Sequence, residues 1–264
     1  MLFSGSNQVF CNLVKKIRQI ELMDTPTRLN KFISETGMCS RREADKLIEQ
    51  GRVTVNGKKS ELGTKIFSRD EIKIDGEILK NKEKTIYLAF NKPRGITSTT
   101  DLKDKDNIID FINFPVRIFP VGRLDKASEG LLFLTNDGDI VNKILRAGNN
   151  HDKEYIVTVD RPITDDFIKK MENGVPILDT VTQKCTVIKE GKDRIRIILT
   201  QGLNRQIRRM CEVLGYQVKQ LKRIRIMNIT LDGLSIGKWR YFTEEELKII
   251  NNLVANSIKT EEAS

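Results

Sequence analysis

Residues 122–138 place the acidic side chain of Asp125 in local structure that can hold it in position. An Arg-Leu-Asp turn ends at Asp125, a short apolar strand is predicted at residues 131–134, and an Asn-Asp-Gly turn closes that strand. A catalytic carboxylate has to be positioned within fractions of an ångström, and a turn fixed beside a strand can do this. The spacing alone fits a catalytic carboxylate and equally a turn or cap residue.

A second cluster of charge lies at residues 204–209. Asn204 is predicted to cap a helix whose apolar positions share one face, with Arg205, Arg208 and Arg209 on the opposite face. Three arginines on one turn repel one another unless anions lie among them. RNA phosphates and the carboxylate of Asp125 would serve as those anions, and a solvated charged helix face is the alternative.

Two further segments carry weaker signals. Residues 153–159 alternate as a strand and place Tyr155, Val157 and Val159 on one face. A tyrosine at the start of a strand usually packs in the core, so position alone favours a structural role. The loop that contains Lys92 and Arg94 offers two cations on a turn stiffened by proline and glycine, and a plain surface turn explains it equally well.

Composition limits the class of protein. The 264 residues suffice for two domains, and 46 Lys and Arg against 36 Asp and Glu give a formal charge of +10, which favours a polyanionic partner. The four cysteines form no Cys-x-x-Cys pair and the chain has one histidine, so we expect no metal site. We interpret the cysteines as reduced thiols in a cytoplasmic protein. No apolar run is long enough to span a membrane.

The N-terminal third has its own pattern. Residues 1–23 place apolar residues near helical spacing but lack the apolar core of a secretory signal, so we interpret them as an extension upstream of a true start at Met23. Ser40 and Glu43 form a capping box at the start of a helix, and Arg41 and Arg42 lie in its first turn. Cations oppose the helix dipole there, so this pair favours a phosphate-binding role over a purely structural one. Residues 28–59 carry eight basic and four acidic side chains.

These motifs together resemble a known family. Residues 122–138, the Lys-Glu-Tyr segment ending at Tyr155 and the Arg-Gln-Ile-Arg-Arg-Met run that begins at Arg205 closely resemble the pseudouridine synthases that modify ribosomal RNA and carry an S4 RNA-binding domain. Residues 28–58 resemble the S4 domain itself. The segments 143–148, 175–178 and 225–228 look most like the F type, which acts on large-subunit (23S) ribosomal RNA.

The resemblance implies roles for three residues. Asp125 would be the essential catalytic residue, acting as nucleophile or as general base on a uridine flipped out of its stack. Tyr155 would stack on the target base, and Arg208 would pair with Asp125. The basic residues expected to bind RNA are Arg28, Lys31, Arg41, Arg42, Lys58, Lys92, Arg94, Arg123, Arg205, Arg209, Arg223 and Arg225.

The resemblance also implies an α+β architecture with a mixed, mainly antiparallel central sheet in the larger domain. We divide the chain into the extension (1–23), an S4-like RNA-binding domain (24–80), a linker (81–85), a pseudouridine synthase catalytic domain (86–250) and a tail (251–264). Isomerisation of uridine needs no redox step or phosphoryl transfer, so no cofactor or metal is expected. We expect a monomer that acts on ribosomal RNA, with transfer RNA left open as a second substrate. A non-catalytic S4-type ribosome-assembly factor is the alternative.

Overall fold

The computed structural model describes residues 25–79, 84–145 and 151–255. The chain divides into two compact units between Lys84 and Thr85. The predicted extension at residues 1–23, residues 81–83 of the predicted linker and residues 256–264 of the predicted tail lie outside the described residues.

The N-terminal unit packs two helices against short strands. Its elements are β1 (Thr27–Arg28), α1 (Leu29–Glu35), α2 (Arg41–Glu49), β2 (Val53–Val55), β3 (Lys58–Lys59), β4 (Lys65–Ile66), β5 (Ile72–Ile74) and β6 (Glu77–Ile78). The four-stranded sheet has the order β3-β2-β5-β6, and β1 pairs with β4. Buried side chains of both helices and of β2, β4 and β5 form one apolar core.

Two local predictions in this unit are confirmed. The capping box closes α2, because the side chain of Ser40 accepts from the backbone N–H of Glu43 and the Glu43 carboxylate accepts from the N–H of Ser40 at 2.7 Å. Asn56 and Gly57 both have positive φ and join β2 to β3 through a two-residue turn.

The C-terminal unit is built on one large sheet. The strands of this unit are β7 (Tyr87–Lys92), β8 (Phe119–Val121), β9 (Glu129–Thr135), β10 (Lys153–Val159), β11 (Pro176–Ile177), β12 (Thr180–Val181), β13 (Thr186–Lys189), β14 (Arg194–Leu199), β15 (Val218–Ile226), β16 (Ile229–Thr230) and β17 (Trp239–Tyr241). Its helices are α3 (Ile108–Ile112), α4 (Gly138–Leu145), α5 (Asp165–Asn173), α6 (Gln206–Val213) and α7 (Glu244–Ala255).

The sheet has the order β13-β14-β10-β15-β9-β7-β17, with β8 added on β9 and β16 on β15. The β9–β15 pair is parallel, and the other pairs of this sheet are antiparallel. This confirms the predicted α+β class with a mixed, mainly antiparallel sheet. The strands β11 and β12 form a separate hairpin.

The predicted apolar strand at residues 131–134 is the centre of β9. Leu131 and Phe133 belong to one buried cluster and Leu132 and Leu134 to another, so both faces of the strand are covered. A strand covered on both faces has a continuous apolar sequence instead of an alternating one. The end of β9 closest to residue 125 is therefore firmly anchored.

The last helix crosses the predicted boundary between catalytic domain and tail at residue 250. The helix α7 continues to Ala255, and both Ile250 and Val254 are buried in the same cluster as β9. These two residues are four apart and lie on one face of the helix, which keeps the last turn packed on the core.

Candidate active site

Asp125 lies in the loop that joins β8 to β9, and this loop is held through its backbone. The hydroxyl of Ser98 donates to the carbonyl of Leu124 at 2.8 Å and accepts from the N–H of Leu124 at 3.2 Å. Within the loop, the N–H of Ser128 donates to the carbonyl of Asp125 at 2.9 Å. The residue before the carboxylate is thus tied to a segment more than twenty positions earlier in the chain.

Two other segments hold the remainder of the loop. From the Lys-Pro-x-Gly segment, the N–H of Gly95 donates to the carbonyl of Lys126 at 2.8 Å, and the Arg94 side chain donates to the carbonyl of Ala127. From α6, Nη2 of Arg208 donates to Ser128 Oγ at 3.0 Å and to the carbonyl of Ala127 at 3.3 Å. The loop is fixed from both sides of Asp125, as a positioned carboxylate requires.

The Asp125 carboxylate faces two arginines. Arg208 Nε lies 3.7 Å and Arg205 Nη1 lies 3.8 Å from Asp125 Oδ2, distances of ion pairs and not of short hydrogen bonds. The Asp125 side chain is 31% exposed, so a substrate can reach it, whereas Arg208 is only 9% exposed. The predicted pairing of Arg208 with Asp125 is therefore present.

Burial lowers the pKa of the Arg208 guanidinium, and the nearby Asp125 charge opposes that effect. The Nε atom of Arg208 is buried without a hydrogen-bond partner in the described part of the chain. This atom therefore has the ion-pair contact of 3.7 Å with Asp125, a distance too long for a hydrogen bond.

The start of α6 differs from the prediction. Arg205, not Asn204, occupies the N-cap, with a left-handed φ of 50°, and the helix begins at Gln206. The Gln206 side chain closes this end by accepting from the N–H of Leu203 at 3.0 Å. The sequence pattern places Arg208 opposite the apolar face with Arg205, whereas the structure buries it, because the helix packs that side against β15 and the Asp125 loop.

Tyr155 lies on β10 with its ring in the core. It is 8% exposed and belongs to the same buried cluster as Val157 and Val159, so the predicted face of this strand is confirmed. Its hydroxyl receives a long contact of 3.5 Å from Nη1 of Arg223 on the neighbouring strand β15.

Three predicted RNA-binding cations are not free to bind phosphate. Lys92 is fully buried and donates to the carbonyls of Pro93 and Ile96 at 2.8 and 2.7 Å, and burial lowers its pKa to about 8. Arg223 is 5% exposed and donates through Nε to a backbone carbonyl. Arg225 pairs with Glu154 at 2.6 Å, so a carboxylate already neutralises it.

The other predicted cations of this unit lie at or near the surface. Arg94, Arg123 and Arg205 are exposed, and Arg209 is half-buried with its guanidinium on the carbonyl of Asn204. In the N-terminal unit, Arg28, Arg41, Arg42 and Lys58 are exposed, while Lys31 is half-buried and pairs with Glu35 at 3.6 Å. Arg41 and Arg42 lie in the first turn of α2 as predicted, and their binding of phosphate stays a prediction.

Sequence reasoning missed Ser98 and Ser128, which hold the Asp125 loop. Both are buried, and each acts through a hydroxyl that reaches a residue far away in the chain. No periodicity or turn signal accompanies such a contact. Among the described residues, no group of three His, Cys, Asp or Glu side chains could hold a metal ion, and no helix is long and apolar enough to cross a membrane.

Comparison with known proteins identifies both units. Residues 86–213 match the family described as RNA pseudouridylate synthase, and residues 27–72 match the S4 domain. The chain is 57% identical over 238 residues to the dual-specificity RNA pseudouridine synthase RluF of Salmonella typhi, covering 89% of this chain and 82% of that protein. It is 37% identical to ribosomal large subunit pseudouridine synthase B of Bacillus subtilis, over 86% of this chain and 96% of that protein. A crystal structure of a pseudouridylate synthase aligns with a TM-score of 0.63 at 29% identity, covering 84% of this chain and 99% of that one.

Proposed function

The chain belongs to the RNA pseudouridylate synthase family, and we propose that Asp125 is the residue on which its chemistry depends. The protein is an RNA pseudouridine synthase, which isomerises uridine within RNA. In that reaction the bond between N1 of uracil and C1′ of ribose breaks, the base rotates, and C5 bonds to C1′. The proton of C5 is lost and N1 gains one, so no atom is added overall.

The observation that supports this proposal is the placement of one accessible carboxylate between two arginines. Asp125 acts on the sugar or base of the flipped uridine as nucleophile or general base, and either role needs the ionised form. Arg205 and Arg208, both within 4 Å of Oδ2, form ion pairs with the carboxylate and limit its motion. The hydrogen bonds from Ser98 and Gly95 keep the loop from moving as the base rotates.

The substrate has to leave its stack before it can reach Asp125. Flipping a base costs a few kcal/mol and is easiest in a loop or an unpaired region. Stacking on the ring of Tyr155 would offset about 1–3 kcal/mol of this cost. The exposed guanidinium groups of Arg94, Arg123 and Arg205 would bind the flanking phosphates.

We expect the target to be a uridine of large-subunit ribosomal RNA, in keeping with the relative named as a large-subunit synthase. A transfer RNA as second substrate accords with the dual specificity in the name of the 57% identical relative. The enzyme is expected to act as a monomer in the cytoplasm, without cofactor or metal. The alternative of a non-catalytic S4-type assembly factor gives no role to residues 86–213, which match the synthase family.

The test is Asp125→Asn, which keeps the size of the side chain and removes its charge. Loss of a central nucleophile or base costs roughly 10⁴-fold or more in rate, so no pseudouridine should form on the timescale of the parent enzyme. Carbodiimide mapping of ribosomal RNA fragments measures the product, and filter binding should give an unchanged Kd for RNA.

Asp106→Asn is the matched control, because Asp106 pairs with Lys126, the neighbour of Asp125, and is 54% exposed. This variant removes a carboxylate beside the same loop and should retain the parent rate. If Asp125→Asn forms pseudouridine at a rate near that of the parent, Asp125 has a structural role only.

A further inference from the structure

Four residues form one row across the centre of the large sheet. The strand register pairs Tyr155 of β10 with Arg223 of β15, Arg223 with Gly130 of β9, and Gly130 with Lys92 of β7. Gly130 has a φ of 112°, and a Cβ added there would meet the Arg223 backbone, 2.7 Å from its nitrogen and closer still to its carbonyl oxygen. The missing side chain allows β9 and β15 to approach, which brings Arg223 beside the strand that follows Asp125.

The Arg223 side chain reaches in two directions along this row. Its Nε donates to the carbonyl of Leu131 at 2.6 Å, and its Nη1 contacts the hydroxyl of Tyr155 at 3.5 Å. The guanidinium carbon lies 5.9 Å from the centre of the Tyr155 ring. The guanidinium thus links the strand that follows Asp125 to the tyrosine.

Stability alone does not explain a guanidinium at this position. Arg223 is 5% exposed, its charge lowers the pKa of buried Lys92, and no carboxylate lies within 4 Å of it in the described part of the chain. Its Nη2 is also buried without a hydrogen-bond partner among the described residues. A buried cation with incomplete hydrogen bonding and a like charge nearby costs stability. Such groups are concentrated at functional sites.

The backbone does not by itself fix the direction of Tyr155. The pairing of β10 with β15 shifts register between Glu154 and Tyr155, and irregularities of this kind re-aim side chains beside active sites. The contact of Arg223 Nη1 with the phenol oxygen at 3.5 Å adds a restraint to the packing of the ring in the core.

We infer that Arg223 is a positioning residue, which holds the phenol of Tyr155 in the orientation that receives the flipped uracil. This inference rests on the proposed function, because that function places the uracil against Tyr155. Arg223 itself touches neither the sugar nor the base, and acts only through the tyrosine hydroxyl.

A double-mutant cycle tests this relation. Arg223→Gln, Tyr155→Phe and the double variant are compared in single turnovers on a saturating stem-loop RNA, with the RNA Kd measured separately. Arg223→Gln should lower the rate constant about 10- to 100-fold, as a displacement of about 1 Å does, and leave the Kd within about twofold. In the Tyr155→Phe background the same substitution should cost less than about twofold, because the hydroxyl through which it acts is gone. Rate losses that multiply, or a loss confined to Kd, would overturn the inference.

A spectroscopic readout separates positioning from general loss of structure. The chain has four tyrosines, so the NMR spectrum of protein labelled with ¹³C at the ring carbon bearing the hydroxyl contains few signals, and Tyr155→Phe assigns one of them. Arg223→Lys keeps the charge, but a lysine cannot reach both Leu131 and Tyr155. This variant should therefore shift the Tyr155 signal more than the signals of the other three tyrosines. Arg240→Gln, which removes a guanidinium paired with Glu246, should leave it in place.

An unmoved Tyr155 signal in a folded Arg223→Lys protein would contradict the inference. This measurement needs no turnover, so it also stands if Arg223→Gln fails to fold. Two results together would separate the inference from the proposed function. If Tyr155→Phe turns over at the parent rate, and the Tyr155 signal of the otherwise unchanged protein still shifts when Arg223 is replaced, then the proposed role of Tyr155 is refuted. The contact between Arg223 and Tyr155 would still stand.

Discussion

Removal of the Ser98 hydroxyl should disable the enzyme without touching a charged group of the site. Ser98 is 7% exposed, and its Oγ both donates to the carbonyl and accepts from the N–H of Leu124. Ser98→Ala leaves two buried backbone groups of the Asp125 loop without this partner. A buried polar group left unpaired costs about 1–3 kcal/mol, so the loss of both pairings should lower the free energy of unfolding by roughly 2–6 kcal/mol.

The same change loosens the residue directly before Asp125. A displacement of about 1 Å at a reacting group can cost about 100-fold in rate, so the single-turnover rate constant should fall by about two orders of magnitude. The RNA Kd should stay near the parent value, because no phosphate-binding side chain is altered. Urea unfolding followed by the fluorescence of Trp239, the one tryptophan of the chain, reports on the C-terminal unit alone.

Thr182→Val is the matched control for this experiment. Thr182 is 3% exposed, and its hydroxyl accepts from the N–H of Val175 at 2.9 Å next to the β11–β12 hairpin. The variant should lose about 1–3 kcal/mol of unfolding free energy and retain the parent rate constant within about twofold. If Ser98→Ala loses stability to a similar degree and still turns over at the parent rate, the position of Asp125 does not depend on Ser98.

Two further predictions concern cations. Replacing Arg41 and Arg42 with Ala should weaken RNA binding and reduce the slope of log Kd against log salt by about one for each lost phosphate contact. Arg69→Ala is the control, because it keeps both of these side chains. An unchanged slope in the double variant would mean that the RNA binds elsewhere on the protein. Because the pKa of Lys92 is about 8 in the folded protein against an ordinary 10.5, the unfolded chain binds more protons between these values. The unfolding free energy of the parent should therefore rise with pH across that window, by up to about 3 kcal/mol relative to Lys92→Met. Urea titrations at pH 7.5 and 10 measure this difference. An equal change of unfolding free energy with pH in both proteins would contradict the prediction.

Local structure could be predicted where the signal lies within a few residues. The capping box of Ser40 and Glu43, the Asn56-Gly57 turn and the apolar strand at 131–134 each depend on near neighbours, and all three are present. The cap at Asn204 failed because Arg205 adopts a left-handed conformation that its residue type does not favour, and Gln206 takes over the hydrogen bonding.

The roles of the cations could not be read from charge alone. Arg205 and Arg208 are three residues apart on the same turn, yet one is 44% and the other 9% exposed. Lys92 continues a strand that is buried on both faces, and it satisfies its ammonium with backbone carbonyls of its own loop. A positive residue in a basic protein therefore indicates RNA binding only when tertiary packing leaves it exposed.

The part of the site that sequence could not supply depends on the one parallel pair of the large sheet. Arg223 meets Gly130 only because β15 runs beside β9, and no local pattern connects two segments about ninety residues apart. This pairing brings the strand after Asp125 against the strand beside Tyr155, so the carboxylate and the ring are held by one rigid element. The close approach requires glycine at residue 130, where any side chain would collide with the Arg223 backbone. The glycine of the Glu-Gly pair after Asp125 thus fixes the distance between two strands and does not serve to make the loop flexible.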